Sequence, residues 1–552
     1  MVGGGIAGLS AALEAAESGA AVLVIEKASV AGGHAVRAGG LALVDTPLQR
    51  AKGYTDSAQL ATQDLLRWGE TADEAWVRRY AAESGTDVHD WLTDMGVEFA
   101  ILLDTPEDSV PRFHFTRGSA INVIVPMLRK VFATQNIEFR FSTTVRELLV
   151  KGGAVTGVVA QDRRTGESLK LTAQSVVLAT GGFQSDLQRV RNYWPKALPH
   201  PNRILIGSGR YADGAGLALA EPVAAELTRM DQQVTFVTGL PNPRQPTHGL
   251  LTQNPSAIWV NAEGRRFTNE AAASKFSEQA VLNMQPAYHW IVFDARGRRA
   301  LRVRGASWLN KNTIADVILD NAHAKSADSI RALAVAMGVP APGLEDTVAR
   351  FNRYMDVGTD LDFQRFSPTR PDNAARKIDQ APFYAMQLFP MTRKSMGGLA
   401  IDAQAQVIDV DGEPIPGLFA AGELTGVAGI NGSFGQSGTF LGPSVLTGRI
   451  AGRAVASQVT PRQQPADSST AKPPSDATAD ADDQDVVLMS ATQLQAMLNT
   501  VGAATWHFAQ AHATVLERKL DCAQCHSNQW PTAPASGRAA RIAQLDSCTT
   551  CH

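Results

Sequence analysis

The run Gly3-Gly4-Gly5-Ile6-Ala7-Gly8 constrains the fold of this chain more than any other feature. An alanine-rich helical segment follows it to about Ser18, and a short apolar strand, AAVLVIEK, then closes on Glu26 and Lys27. Turn, helix and strand in that order open a nucleotide-binding unit. Glycine at Gly3 and Gly5 lets backbone approach a pyrophosphate at the helix N-terminus, while Glu26, eighteen residues beyond Gly8, is placed to accept from a ribose hydroxyl. The candidate contacts are Gly3, Gly5, Ile6, Ala7, Gly8, Glu26 and Lys27. A strand of about five or six residues normally leads into such a turn, yet only Met1 and Val2 precede Gly3. The expectation is a start recorded too late or a trimmed chain, from which any export signal is also missing.

Two further strand ends are built the same way. SVVLATGGF at 175–183 delivers Thr180, Gly181 and Gly182, and GLFAAGELTG at 417–426 delivers Gly422 and Glu423. Three such ends so far apart imply one dinucleotide-binding domain interrupted by a substrate-facing insertion. The predicted organisation is a first part of that domain over 1–190, a capping domain over 191–385, and the second part over 386–457. A linker follows over 458–487, then a small tail domain over 488–552. The fold class is α/β, a Rossmann-like domain interrupted by an α+β cap, with a small and mostly α-helical tail.

Composition excludes some functions. A formal charge of −3 leaves no basic field for nucleic acid, and 44% hydrophobic residues with 47 glycines suit an α/β protein rich in tight turns. No uninterrupted apolar run reaches the ~18 residues of a membrane span. The stretch 460–485, TPRQQPADSSTAKPPSDATADADDQD, holds no large apolar residue and cannot order itself by burial. As a flexible coil it would reach roughly 25–30 Å.

The chain over about residues 1–457 resembles the fumarate reductase and ketosteroid dehydrogenase superfamily of FAD enzymes. The resemblance rests on GGGIAG with Glu26, GGHAVRAGGLAL at 32–43, ADGAGLALA at 212–220 and NAEGRRFTNE at 261–270. It continues through SMGGLAID at 395–402, IPGLFAAGE at 415–423 and GTFLGPSVLTGRIAGR at 438–453. SVPRFHFTRGS at 109–119, VRNYWP at 190–195 and TFLGP at 439–443 are most similar to the ketosteroid dehydrogenase-like branch. The resemblance implies FAD between two domains, exchanging hydride with a CH–CH or C=C bond. It adds Gly33, His34, Gly39, Gly40, Asp213 and Gly438 to the candidate FAD contacts. His34 also leaves covalent attachment open, since histidyl flavins of succinate dehydrogenases use a histidine shortly before the same Gly-Gly turn.

Departures from the fumarate reductase pattern are clear. That enzyme clamps a dicarboxylate with two histidines and two arginines besides a proton-donating arginine. Here TRMDQQVTFV at 228–237 lacks the first histidine, and LLTQNPSAIWV at 250–260 lacks the expected glutamate and arginine. Arg393-Lys394-Ser395-Met396 stands where the second histidine is expected, and GINGSFGQSG at 429–438 lacks the last arginine. The tyrosines that activate a steroid ketone have no counterpart among the seven present. The resemblance places Arg266 at the proton-donor position. Hydride addition to an alkene leaves negative charge that calls for cations and a proton source, so Arg266, Arg393, Lys394 and His114 are the candidate catalytic residues.

All four cysteines lie in the tail, Cys522 paired with Cys525 and Cys548 with Cys551, each pair followed by histidine. A four-thiolate zinc site is the alternative, with 22 intervening residues running slightly long for it. Histidine decides between them. With 11 in 552 residues, both pairs being so followed by chance is about 4 in 10,000, against the Cys-x-x-Cys-His rule for c-type haem. Two covalent haems c are expected, one through Cys522 and Cys525 and one through Cys548 and Cys551, with His526 and His552 as proximal ligands. His507 and His512, about 140° apart on a predicted helix, suit two different haems as distal ligands.

Haem attachment of this kind resembles that of c-type cytochromes matured outside the cytoplasmic membrane, which implies the periplasm. The expected function is a flavocytochrome oxidoreductase acting on a small organic substrate, exchanging electrons with a cytochrome or quinol-linked partner. The alternative is a flavin and haem electron carrier or redox sensor without turnover.

Overall fold

A computed structural model of the protein describes residues 1–458, except 118–119, 307–308, 310–313, 315–320 and 370. The expected haem-attachment residues Cys522, Cys525, Cys548 and Cys551 lie outside the described residues. So do the expected haem ligands His507, His512, His526 and His552, and the linker sequence beyond residue 458.

The nucleotide-binding body is a parallel sheet. Ile137–Arg140 runs beside Val22–Ile25, and Val176–Leu178 runs beside Pro414–Ala420. Val2 joins the two halves through parallel bridges to Ile25 and Leu178, its amide donating to Val177 O at 2.8 Å. The two central strands, Val22–Ile25 and Val176–Leu178, are apolar throughout because both faces are covered, whereas the edge strand Ile137–Arg140 alternates buried with exposed positions. The helix Ile6–Glu17 begins at Gly5, whose extended backbone turns the chain out of the sheet. The last described helix, Leu441–Gln458, packs along it backbone to backbone. A methyl on Gly448 would strike the Ala7 carbonyl, and one on Gly452 would lie 2.5 Å from the Ala11 carbonyl. That contact explains small residues four apart in LTGRIAGR. Arg449 pairs with Glu14 across the same seam.

The cap is a mixed sheet centred on one thirteen-residue strand, Phe383–Ser395. Gln233–Asn242 flanks it antiparallel on one side and His289–Phe293 on the other. Helices Ile330–Met337 and Ala341–Val357 cover it, burying Leu333, Leu344 and Phe351 against Val260 and Val292. Each such large side chain contributes roughly 1.5–3 kcal/mol. Beyond Phe389 the central strand leaves this core and runs into the groove above the parallel sheet. There Thr392 donates to Gln184 O at 2.6 Å and accepts from the Gly207 amide at 3.3 Å, tying three segments together. Among the described residues no helix is long and apolar enough to cross a membrane.

Candidate active site

The glycine turn has the shape the sequence demands. Gly3 has φ +106°, and a methyl on Gly8 would run into the Gly3 carbonyl, so helix and strand meet only because both are glycine. Gly5, at the helix N-terminus, and Gly181, with φ +81°, face open space. Gly422, φ +74°, closes the third strand end 2.8 Å from the Ala7 methyl carbon, measured from where its own Cβ would stand. Its amide donates to Thr447 Oγ1 at 3.0 Å. Three strand ends predicted from sequence therefore converge at the N-terminus of one helix.

Glu26 lies beside them, with Oε2 accepting from the Gly4 amide and Oε1 from the Ala28 amide, both at 2.7 Å. Burial raises its carboxyl pKa, opposed by those two amides. Lys27 and Asp213 are brought together as an ion pair of 2.5 Å. Gly33 approaches the Gly5 Cα, and Gly40 lies against the His114 carbonyl where strands Leu41–Ala42 and Phe113–Thr116 pair. Gly438, φ +82°, accepts from the Ala42 amide at 3.1 Å. The clear space over Gly5 and Gly181, the close-packed glycines around it and the acid at the strand end fit the pyrophosphate and ribose of a flavin dinucleotide. Thr180 Oγ1, buried at the second strand end, has no hydrogen-bond partner among the described residues.

At the far end of the groove stands a second polar group. Lys394 Nζ lies 3.0 Å from Glu423 Oε2 and 3.5 Å from His34 Nδ1, while Ser395 donates its amide to Glu423 Oε1 at 3.1 Å. Gly182 permits this, since its Cβ would stand 2.6 Å from Glu423 Oε1. Lys394 is thus a neutralised cation.

Arg393 is different. Its guanidinium donates to Gly207 O at 3.0 Å and rests 5.5 Å from the Phe236 ring centre. No carboxylate of the described residues comes within ion-pair distance of it. Burial lowers its pKa from the usual arginine value, opposed by the charge of Glu423. The two fully buried arginines are compensated by carboxylates. Arg112 bonds Asp56 in bidentate fashion and also reaches Asp64 and Asp108, and Arg365 reaches Glu270 and Asp372.

Two expected site residues are not available to a ligand. Arg266 is 3% exposed and bidentate to both Glu270 and Asp360, at 2.8–3.1 Å. It sits among Phe351 and Phe363 in the cap, so the expectation of an accessible proton donor is corrected to a buried structural pair. His114 is fully buried, its Nε2 2.7 Å from Thr46 Oγ1 and its Nδ1 2.6 Å from Arg112 O. Burial drops its pKa to about 4, so it is a neutral ring holding two strands rather than an acid or base facing the groove. Sequence reasoning missed Lys275, whose Nζ lies 4.0 Å from the Phe434 ring centre and 5.4 Å from that of Trp68 and pairs with Glu70. Only its proximity to NAEGRRFTNE could have drawn attention to it.

A parallel sheet with three glycine turns at one end, and an inserted cap that carries cations into the same groove, defines a FAD-dependent oxidoreductase. A probable fumarate reductase of Shewanella frigidimarina is 31% identical over 462 residues, covering 82% of this chain and 73% of the relative. A KsdD-like steroid dehydrogenase of Mycobacterium tuberculosis is 27% identical, covering 83% of this chain and 95% of the relative. The open conformation of a flavocytochrome c3 fumarate reductase superposes with a TM-score of 0.67 at 29% identity, covering 83% of this chain and 77% of that one. The chain belongs to the FAD binding domain family, whose model matches residues 1–441. It is an oxidoreductase of the fumarate reductase and ketosteroid dehydrogenase type, acting on carbon–carbon bonds.

Proposed function

We propose that the protein is a periplasmic flavocytochrome that transfers hydride between FAD and a carbon–carbon bond conjugated to an anionic or carbonyl group. Two haems c in its tail, one on Cys522 and Cys525 and one on Cys548 and Cys551, would exchange the electrons with an external cytochrome or quinol-linked partner. The observation that carries this reading is Arg393, a half-buried arginine at the groove with no carboxylate among the described residues within ion-pair distance. FAD, when bound, supplies the hydride chemistry. The chain supplies the rest: Gly3 and Gly8 let helix and strand close on one another, Gly5 and Gly181 leave room for the pyrophosphate, and Glu26 presents its carboxylate to the ribose. Arg393 offers unfilled N–H donors to a group that gains negative charge as the bond accepts hydride. Lys394, held by Glu423 within 3.5 Å of His34, places a second, ion-paired cation in the same groove.

The haem and periplasmic parts rest on LDCAQCH and SCTTCH and on the likeness to a flavocytochrome. Anaerobic spectroscopy of periplasmically produced protein tests the whole reading. Reduced protein mixed with enoates, or oxidised protein mixed with their saturated counterparts, should show flavin and haem bands changing together. Flavin that responds to no organic compound would leave only the electron-carrier alternative. Cys522→Ala with Cys525→Ala, and Cys548→Ala with Cys551→Ala, should each remove about half of the haem absorbance; unaltered spectra would refute attachment there.

A further inference from the structure

Around Arg393 the groove is walled by rings rather than by the polar clamp a small dicarboxylate needs. Val234 and Phe236 share one face of their strand, and both are only half-buried. Gly435 brings the next wall close, since its Cβ would lie 2.9 Å from Val234 and 3.2 Å from Phe440. Phe434 adjoins it, and Lys275 then links Phe434 to Trp68. Lys394 lies 5.7 Å from the centre of the Phe440 ring. Phe434, Phe440 and Trp68 are half-buried and belong to none of the apolar cores among the described residues. Such rings have apolar surface left to cover, and pairing a ring with an aromatic partner is favourable beyond area alone.

Two unpartnered polar atoms mark the same groove. Trp68 Nε1 and Ser208 Oγ are buried without a hydrogen-bond partner among the described residues. Ser208 lies between Gly207, which accepts from Arg393, and Gly209, which touches the His34 ring. Buried donors of this kind are costly unless a ligand satisfies them.

We infer that the substrate is a planar aromatic monoanion, an aryl-substituted enoate or its saturated counterpart. This rests on the function proposed above. Arg393 takes the carboxylate; Phe236, Phe440 and Phe434 take the ring. In the reducing direction ArCH=CHCOO⁻ gains two electrons and two protons to give ArCH₂CH₂COO⁻, the electrons coming from an external one-electron donor. Fumarate would leave the aromatic wall uncovered and bring a second carboxylate for which the described residues beside Arg393 offer no second guanidinium. A neutral steroid would leave Arg393 unpaired.

The test uses the full chain with FAD bound and three probes: trans-cinnamate, fumarate and the neutral steroid 4-androstene-3,17-dione. Perturbation of the flavin spectrum gives affinity, and reoxidation of reduced flavin gives turnover. Cinnamate should bind at least ten-fold more tightly than either competitor. Arg393→Gln should weaken cinnamate at least ten-fold while leaving FAD content unchanged, and Phe434→Leu should weaken cinnamate more than trans-3-cyclohexylacrylate. Tighter binding of fumarate or the steroid, or indifference of cinnamate to both substitutions, overturns the inference while the oxidoreductase stands. No response to any probe by a protein that holds FAD overturns both.

Discussion

Replacing Arg266 by glutamine should cost stability and spare the chemistry. The side chains of Arg266, Glu270 and Asp360 are 3%, 3% and 0% exposed, so the substitution strands two carboxylates in the cap interior. Removing one partner of such a buried network costs about 3–5 kcal/mol. The lower end applies, because Glu270 keeps the Trp259 amide at 3.0 Å and Arg365 at 3.4 Å, and Asp360 keeps the amides of Asp362 and Arg365. At about 2–4 °C per kcal/mol, the cap transition should fall by about 6–12 °C. Calorimetry of the holoprotein reads that shift, and flavin reoxidation by an enoate, per mole of bound FAD at about 20 °C below the transition, reads the chemistry. Arg266→Gln combined with Asp360→Asn should regain part of the loss, since one stranded charge is removed with its partner. An unchanged transition with a hundred-fold fall in reoxidation rate would refute the structural role and restore Arg266 as a proton donor.

Gly5→Ala should fold normally and lose FAD, because a methyl there meets only the space a pyrophosphate would fill; Gly8→Ala should lose stability as well, by collision with the Gly3 carbonyl. Flavin-to-protein absorbance and melting curves separate the two, and full flavin occupancy in Gly5→Ala would refute the cradle. His114 and His289 are fully buried, with pKa values pushed down to about 4 and about 3. Both are neutral when folded and titrate near 6.5 when unfolded, so their contribution is complete above pH 6.5 and falls as pH drops from 6.5 towards 4 and 3. Each drop is worth about 3–5 kcal/mol, and His289→Leu should flatten that acid limb in urea titrations across about pH 4–7; an unchanged slope would contradict its neutral burial. Arg112→Lys loses the bidentate grip on Asp56 and should destabilise by about 2–4 kcal/mol, measured by urea midpoint, with no change in flavin content.

The nucleotide-binding half was legible because its constraints are local. Gly3, Gly5, Gly8 and Glu26 are fixed by backbone geometry within one turn, helix and strand, and the structure puts each where that geometry requires. The cap was harder. A charge in sequence looks the same whether it meets solvent, a substrate or a carboxylate ninety residues away, and Arg266 meets Asp360. His114 misled for the same reason, since its side-chain partner Thr46 lies 68 residues away. Arg393 and Lys394 were found together, yet only folding distinguishes them, through Glu423 beside one and a lone carbonyl beside the other. Lys275 was hard to find because its aromatic neighbours come from a helix, at Trp68, and a loop, at Phe434, both distant in sequence.

The thirteen-residue strand that crosses from cap to groove carries an extra residue at Arg393, since Val234 pairs with Lys394 and Thr235 with Thr392. A one-codon deletion between Phe389 and Arg393 would hand the open position to Lys394 and set Ser395 where Lys394 now meets Glu423. The ligand preference of this scaffold can therefore drift by reading-frame-preserving slips in one short stretch, while the glycine turns that hold FAD remain untouched.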